Sequence, residues 1–226
     1  MIKNKSFLLI IIVSAAVLSA FLSVYFLTKE YDAEDFGIQT VKSPVDFNGN
    51  DIDDYSDFVI GARKDAENFP TYDGSYHEGG YPPDDVGVCT DVIWRAFREA
   101  GYSLKDMVDK DIAACLSDYP NVTVPDPNID FRRVKNLRVF FDKYAVSLTL
   151  DINDIDEWQP GDVVIFKNDQ HISLVSDIRN YKGHTYIIHN GGQPDREEDY
   201  LSKSEVTGHY RFDASLLPEE MLIPWN

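Results

Sequence analysis

The apolar pattern opens with an unbroken run from Phe7 to Leu27, 21 uncharged residues flanked by Lys3 and Lys5 before it and by Lys29, Glu30, Asp32, Glu34 and Asp35 after it. As a helix the run is roughly 31 Å long, the thickness of a bilayer's hydrocarbon core, and longer than the about 7–15 apolar residues of a cleaved signal peptide. It predicts a membrane anchor within residues 1–28. The lysines before it and the acidic excess after it orient the rest of the chain outward, as a single-pass protein of the cell membrane with an extracytoplasmic C-terminal domain. A signal peptide cut near Ala20 is the alternative, and it too exports the domain.

Beyond the run the pattern becomes periodic. Tyr55, Phe58, Val59, Ala62 and Ala66 recur at helical spacing, and so do Val92, Ile93, Ala96, Phe97 and Ala100, with Gly101 as the stop. An irregular region with Pro120, Pro125 and Pro127 follows, then a third helical pattern on Val134, Leu137, Phe140, Phe141 and Tyr144. The remainder changes period. Asp162 to Phe166, His171 to Ser176, Thr185 to Asn190 and Gly208 to Phe212 are short, rich in Val, Ile, Tyr and Phe, and separated by Gly, Asn and Asp turns. Helices first and strands afterwards predict an α+β fold, with helices packed on one side of an antiparallel sheet. Residues 29–54 are acidic and read as a solvated linker to a folded domain over 55–226. Within them Asp46, Asn48, Asn50 and Asp53 imitate a calcium loop, but Asp51 stands where that loop needs glycine, so a polar turn before the helix is the better reading.

Composition narrows the function. Among 226 residues, 39 acidic against 21 basic side chains give a formal charge of −18, which repels nucleic acid. Two cysteines, with no CxxC pair, neither staple a miniprotein nor announce a structural zinc site. No cofactor and no metal is expected.

The chemistry-bearing residues are few. In Gly87-Val88-Cys89-Thr90-Asp91-Val92 a cysteine sits where a loop enters a helix, so free amides and the helix dipole favour its thiolate. Thr90 and Asp91 are the candidate caps. His171 enters a strand that follows the Pro160-Gly161-Asp162 turn, and His189 ends the next one, so hairpin pairing can set the two rings side by side. Cys89 is then a candidate nucleophile, His171 its base and His189 the group that orients the base. Asn190 faces the opposite side of the strand from His189 and is the reserve candidate. Burial of Cys89 as a small hydrophobe, a Cys89–Cys115 disulfide, or zinc on Cys89, His171 and His189 are the competing readings of the same residues. The Tyr-rich loop with Tyr76 and Tyr81 is expected to form one wall of a substrate cleft.

Six blocks carry a resemblance. Gly87 to Val92, Asp126 to Val134, Pro160 to Val164, His171 to Asp177, His189-Asn190 and Gly208 to Arg211 resemble, in that order, the bacterial family catalogued as domain of unknown function 1287. That family is in turn similar to the NlpC-type cysteine peptidases and amidases of the cell wall. The resemblance implies a papain-like core, with Cys89, His171 and His189 as the catalytic residues and peptidoglycan or its peptides as the partner. It departs from the NlpC pattern in a long insert between helix and Pro-Gly-Asp turn, and in Ser173 where glycine is usual. Asp130, Arg132 and Arg133 belong to the narrower family, and they read as a salt-bridged turn rather than a substrate-carboxylate site. The expected function is cleavage of an amide bond in the peptide part of peptidoglycan. A non-catalytic wall-binding or envelope-assembly module of the same fold is the alternative.

Overall fold

The computed structural model describes residues 12, 13, 17–19 and 29–225. The expected anchor lies for the most part outside them, and among the described residues no helix is long and apolar enough to cross a membrane. Asp53 caps helix α1 (Asp54–Asn68), accepting from the Ser56 amide at 3.4 Å and the Ser43 amide at 3.0 Å. A short parallel pair follows, β1 (Thr71–Tyr72) with β2 (Val86–Gly87). It leads into α2 (Cys89–Glu99), α3 (Leu104–Ala114) and α4 (Val134–Tyr144).

The strands come next: β3 (Val146–Ser147), β4 (Val163–Phe166), β5 (His171–Arg179), β6 (Thr185–Ile188), β7 (Glu197–Glu198) and β8 (Val206–Arg211). They form one antiparallel sheet in the order β3-β8-β4-β5-β6-β7. Alternation along β4 and β5 divides the interior. Val163, Ile165, Ile172 and Leu174 join Phe58, Phe97, Phe141 and Phe212 in the core beneath the helices. Val164, Phe166 and Val175 face the other way, onto a smaller cluster with Trp158, Ile187 and Leu201. Both faces of the central strands are therefore covered, one by helices and the other by loops.

Helix α2 is held from two sides. It packs on β5 and against α1, and the α1–α2 approach is close enough that a Cβ on Gly61 would lie 2.6 Å from Glu99 Cβ and 2.9 Å from the Ala96 backbone. The turn before β4 is fixed by Asp162. Its carboxylate meets His209 Nε2 at 3.0 Å and takes two hydrogen bonds from Arg211, at 2.8 and 2.7 Å. The His209 ring stacks on Trp158 at 3.8 Å. The blocks around Asp162 and around His209 are thus two halves of one buried cluster that seats β4 beside β8.

The α+β layout and the antiparallel sheet agree with the sequence, and three details differ. Helix α3 occupies a stretch expected to be irregular; Ser103 caps it, and Leu104, Met107, Val108 and Ile112 are buried along one face. Strands β3 and β7 are two residues each, too short to show alternation. Residues 29–54 pack on the domain rather than running free in solvent. Tyr31 exchanges backbone hydrogen bonds of 2.9 and 2.7 Å with Arg179, the Val41 amide donates to Gln159, and Ala33 is buried. The calcium-loop look-alike is a polar turn, where the Asp46 carboxylate accepts from the amides of Gly49, Asn50 and Asp51.

Candidate active site

Cys89 is the first residue of α2, and the junction that presents it is locked by one carboxylate. Asp91 accepts from the Val88 amide at 2.7 Å, from Trp94 Nε1 at 2.7 Å and from Arg132 at 2.8 and 2.9 Å. Arg132 also donates to the Ser75 carbonyl, and its own carbonyl accepts from Thr90 Oγ1. Thus Asp91, rather than Thr90, caps the turn. The Asp130–Arg132 block serves as a structural clamp, with Arg133 mostly exposed beside it. Cys89 and Cys115 are both free thiols.

The Cys89 sulfur is nearly enclosed, with the residue 7% exposed. Burial pushes its thiol above the ordinary value, and the Asp91 charge adds to that. The backbone amides of Ile172, Thr90 and Cys89 itself work the other way and favour the thiolate, but less strongly. Ile172 directly follows His171, so the sulfur is near the start of β5, the end that carries the histidine.

His171 Nε2 and His189 Nδ1 are 2.7 Å apart. The two rings lie on one face of the sheet on neighbouring strands and meet edge to face, with centroids 4.9 Å apart. Burial lowers both imidazoles, His171 to about 3 with help from the His189 and Lys167 charges, and His189 to about 4 with help from Arg196 and Lys203. At neutral pH the pair is therefore uncharged. Glu198 Oε1 stands 3.3 Å from His189 Nε2, off the line of a good hydrogen bond, and its other oxygen accepts from Lys203 at 2.6 Å. The Tyr200 ring packs against both imidazoles.

The histidine pair opens into a cleft of about 290 Å³ lined also by Tyr72, Lys167, Gln170, Gln193, Glu198 and Tyr200. The tyrosines expected there are elsewhere. Tyr76 is exposed and hydrogen-bonded with Asp126 and Asn128. Tyr81 is packed against Trp94, Phe131 and Trp225. Asn190 is 1% exposed, and its side chain donates to the Gly87 carbonyl at 3.0 Å and accepts from Gly192. It ties the end of β6 to the loop before Cys89 and does not face the cleft. Tyr72, Tyr200 and Glu198, rather than Tyr76, Tyr81 and Asn190, line this cleft. Among the described residues no three of His, Cys, Asp and Glu are gathered to hold a metal ion.

Residues 59–212 match the family described as a domain of unknown function, DUF1287, and the chain is a member of it. The chain is also similar to the uncharacterized protein YijF of Escherichia coli (strain K12), 37% identical over 162 residues that cover 67% of this chain and 78% of YijF. No solved structure matches it.

Proposed function

We propose that the chain is a membrane-anchored, extracytoplasmic cysteine hydrolase with a papain-like core, cleaving an amide bond in the peptide part of peptidoglycan. The observation that carries this reading is the meeting of two elements. The Cys89 sulfur at the start of α2 is approached by the Ile172 amide, and the residue before Ile172 is an uncharged His171 already oriented by His189. A neutral thiol and a neutral imidazole make a general-base arrangement. His171 takes the thiol proton as the sulfur attacks the carbonyl, and returns it to the leaving amine; water then resolves the thioester. The amides at the start of α2 are the donors available to the oxyanion. The 21-residue uncharged run from Phe7 to Leu27 supports this substrate, because cell-wall peptide is the abundant amide outside a membrane that such a run would span.

The test is digestion of purified peptidoglycan by the full chain in detergent, with Cys89→Ser alongside and mass analysis of the fragments. New amine and carboxylate ends with the native chain alone are the expected result; identical fragments from both retire the reading for this substrate. The burial of Cys89 favours a second reading, a wall-binding module that has kept the fold. A thiol-reactive probe separates the two, because a sulfur that serves only packing stays unmodified at neutral pH and is indifferent to His171→Ala.

A further inference from the structure

An imidazole pair joined by one hydrogen bond has two neutral arrangements, and only one leaves a base. If His171 Nε2 carries the proton and donates to His189 Nδ1, then His171 Nδ1 is bare and His189 carries its proton on Nε2. If the shared proton belongs to His189 Nδ1, both protons move, His171 Nδ1 is protonated, and the ring has no lone pair to offer a thiol. We infer that Glu198 is the positioning residue that selects the first arrangement, through His189.

The geometry gives the reason. His189 is 3% exposed and its Nε2 is buried without a hydrogen-bond partner; the carboxylate beside it is Glu198, whose Oε1 stands 3.3 Å away, off the line of a good hydrogen bond but within reach of a small ring rotation. A carboxylate accepts and cannot donate, so a bare Nε2 would set two lone pairs against each other in a buried place. Strand alternation puts Glu198 there. Glu198 pairs with Ile187, on the same face of the sheet as His189, whereas Glu197 turns the other way to bind Arg63 and Ser176. Lys203 completes the chain by donating to Glu198 Oε2 at 2.6 Å. Its charge offsets that of Glu198, so the carboxylate acts as a fixed acceptor more than as a source of basicity. The order is Lys203 to Glu198, Glu198 to His189, His189 to His171.

The inference rests on His171 being the base of the proposed hydrolase, and its test reads the rings directly. Nitrogen NMR of the full chain in micelles at neutral pH, with imidazoles assigned through single histidine variants, is expected to show Nε2–H and bare Nδ1 for both His171 and His189. In Glu198→Gln the amide carbonyl turns to Lys203 and the NH2 group to His189, so both protons shift to Nδ1. Alkylation of Cys89 by iodoacetamide at pH 7 then falls about tenfold. Adding Lys203→Met frees the amide to turn, restoring the Nε2–H forms and the alkylation rate. A wild-type His171 protonated on Nδ1, or a Glu198→Gln chain unchanged in both tautomer and alkylation, overturns the inference. Tautomers as expected throughout, with Cys89 inert in every form, leave the role of Glu198 standing and remove the hydrolase.

Discussion

Arg132 grips Asp91 with two hydrogen bonds, of 2.8 and 2.9 Å, in a place where both side chains are almost wholly buried. The pair joins two distant stretches of chain, the start of α2 and the turn before α4, and it lies two residues from the Cys89 sulfur. A bidentate guanidinium on a carboxylate that also caps the helix fixes the direction of the junction as well as its energy.

Replacing Arg132 by Met removes the cation and leaves Asp91 buried without its main partner. Breaking a buried pair in this way costs about 3–5 kcal/mol. The expected result is a loss of that size in urea denaturation. Arg132→Lys is expected to recover only part of it, since an ammonium lacks the planar fork that holds both Asp91 oxygens and the Ser75 carbonyl at once. A loss below about 1 kcal/mol would mean that the junction does not depend on the clamp.

Gly61 has a different task. With a Cβ 2.6 Å from Glu99 Cβ and 2.9 Å from both the Ala96 Cα and the Arg95 carbonyl, Gly61→Ala must push α1 and α2 apart, because the obstruction is mostly backbone. Overpacking of this kind costs about 1–3 kcal/mol, despite the better helix propensity of alanine. Thermal unfolding of the variant checks this, and a raised midpoint would contradict the close approach. Since α2 carries Cys89 at its other end, slower alkylation of the cysteine is expected to accompany the loss.

Much of this was readable from the residues, and the failures have physical causes. Phe58, Phe97 and Phe141 announced helices through their spacing, and His171 and His189 announced each other because antiparallel neighbours on one face must meet. Alternation also separates His189 from Asn190, which face opposite sides of the sheet and bind different partners. Helix α3 was missed although Ser103 and Asp106 form its cap and its buried positions are helically spaced; the prolines beyond it dominated the reading. Glu198 gave no signal. It sits in a two-residue strand of paired glutamates, with no apolar alternation, and only tertiary placement makes one of them an acceptor and the other an Arg63 partner. Tyr76 and Tyr81 do not line the histidine cleft, and a loop's composition does not say which way it folds.

The histidine pair also gives stability a pH dependence. The folded values, about 3 for His171 and about 4 for His189, lie below the ordinary 6.5. As pH falls, the unfolded chain therefore takes up protons first. Their contribution is fully present above pH 6.5 and is lost as pH falls from there towards about 4 for His189 and about 3 for His171, by up to about 1.4 kcal/mol per pH unit for each. Asp54 works in the opposite sense, since burial raises it to about 6 and its protonated form favours the folded chain below that. The useful measurement is thus a difference. Urea denaturation from pH 7 to 5 is expected to show a steeper decline for the native chain than for a His171→Gln, His189→Gln double variant, and parallel curves would count against buried neutral imidazoles.

The reaction of Cys89 with a neutral alkylating agent has a shape that follows from the same electrostatics. A thiol pushed upward by burial and an imidazole pushed down to about 3 leave the uncharged pair dominant across the neutral range. A small population holds the proton on His171 and the charge on sulfur. Transfer within the pair neither consumes nor releases protons, so that population does not change with pH between about 4 and the thiol's own titration. The expected profile is a low plateau followed by a rise in alkaline solution, where hydroxide removes the proton from the pair altogether. In His171→Ala the plateau disappears and only the alkaline rise is left, because the sulfur can then lose its proton only to solvent. A profile that instead steps up near pH 4 and is already at full rate at pH 7 would describe a resting thiolate–imidazolium ion pair. A plateau that survives His171→Ala would assign the proton to some other acceptor.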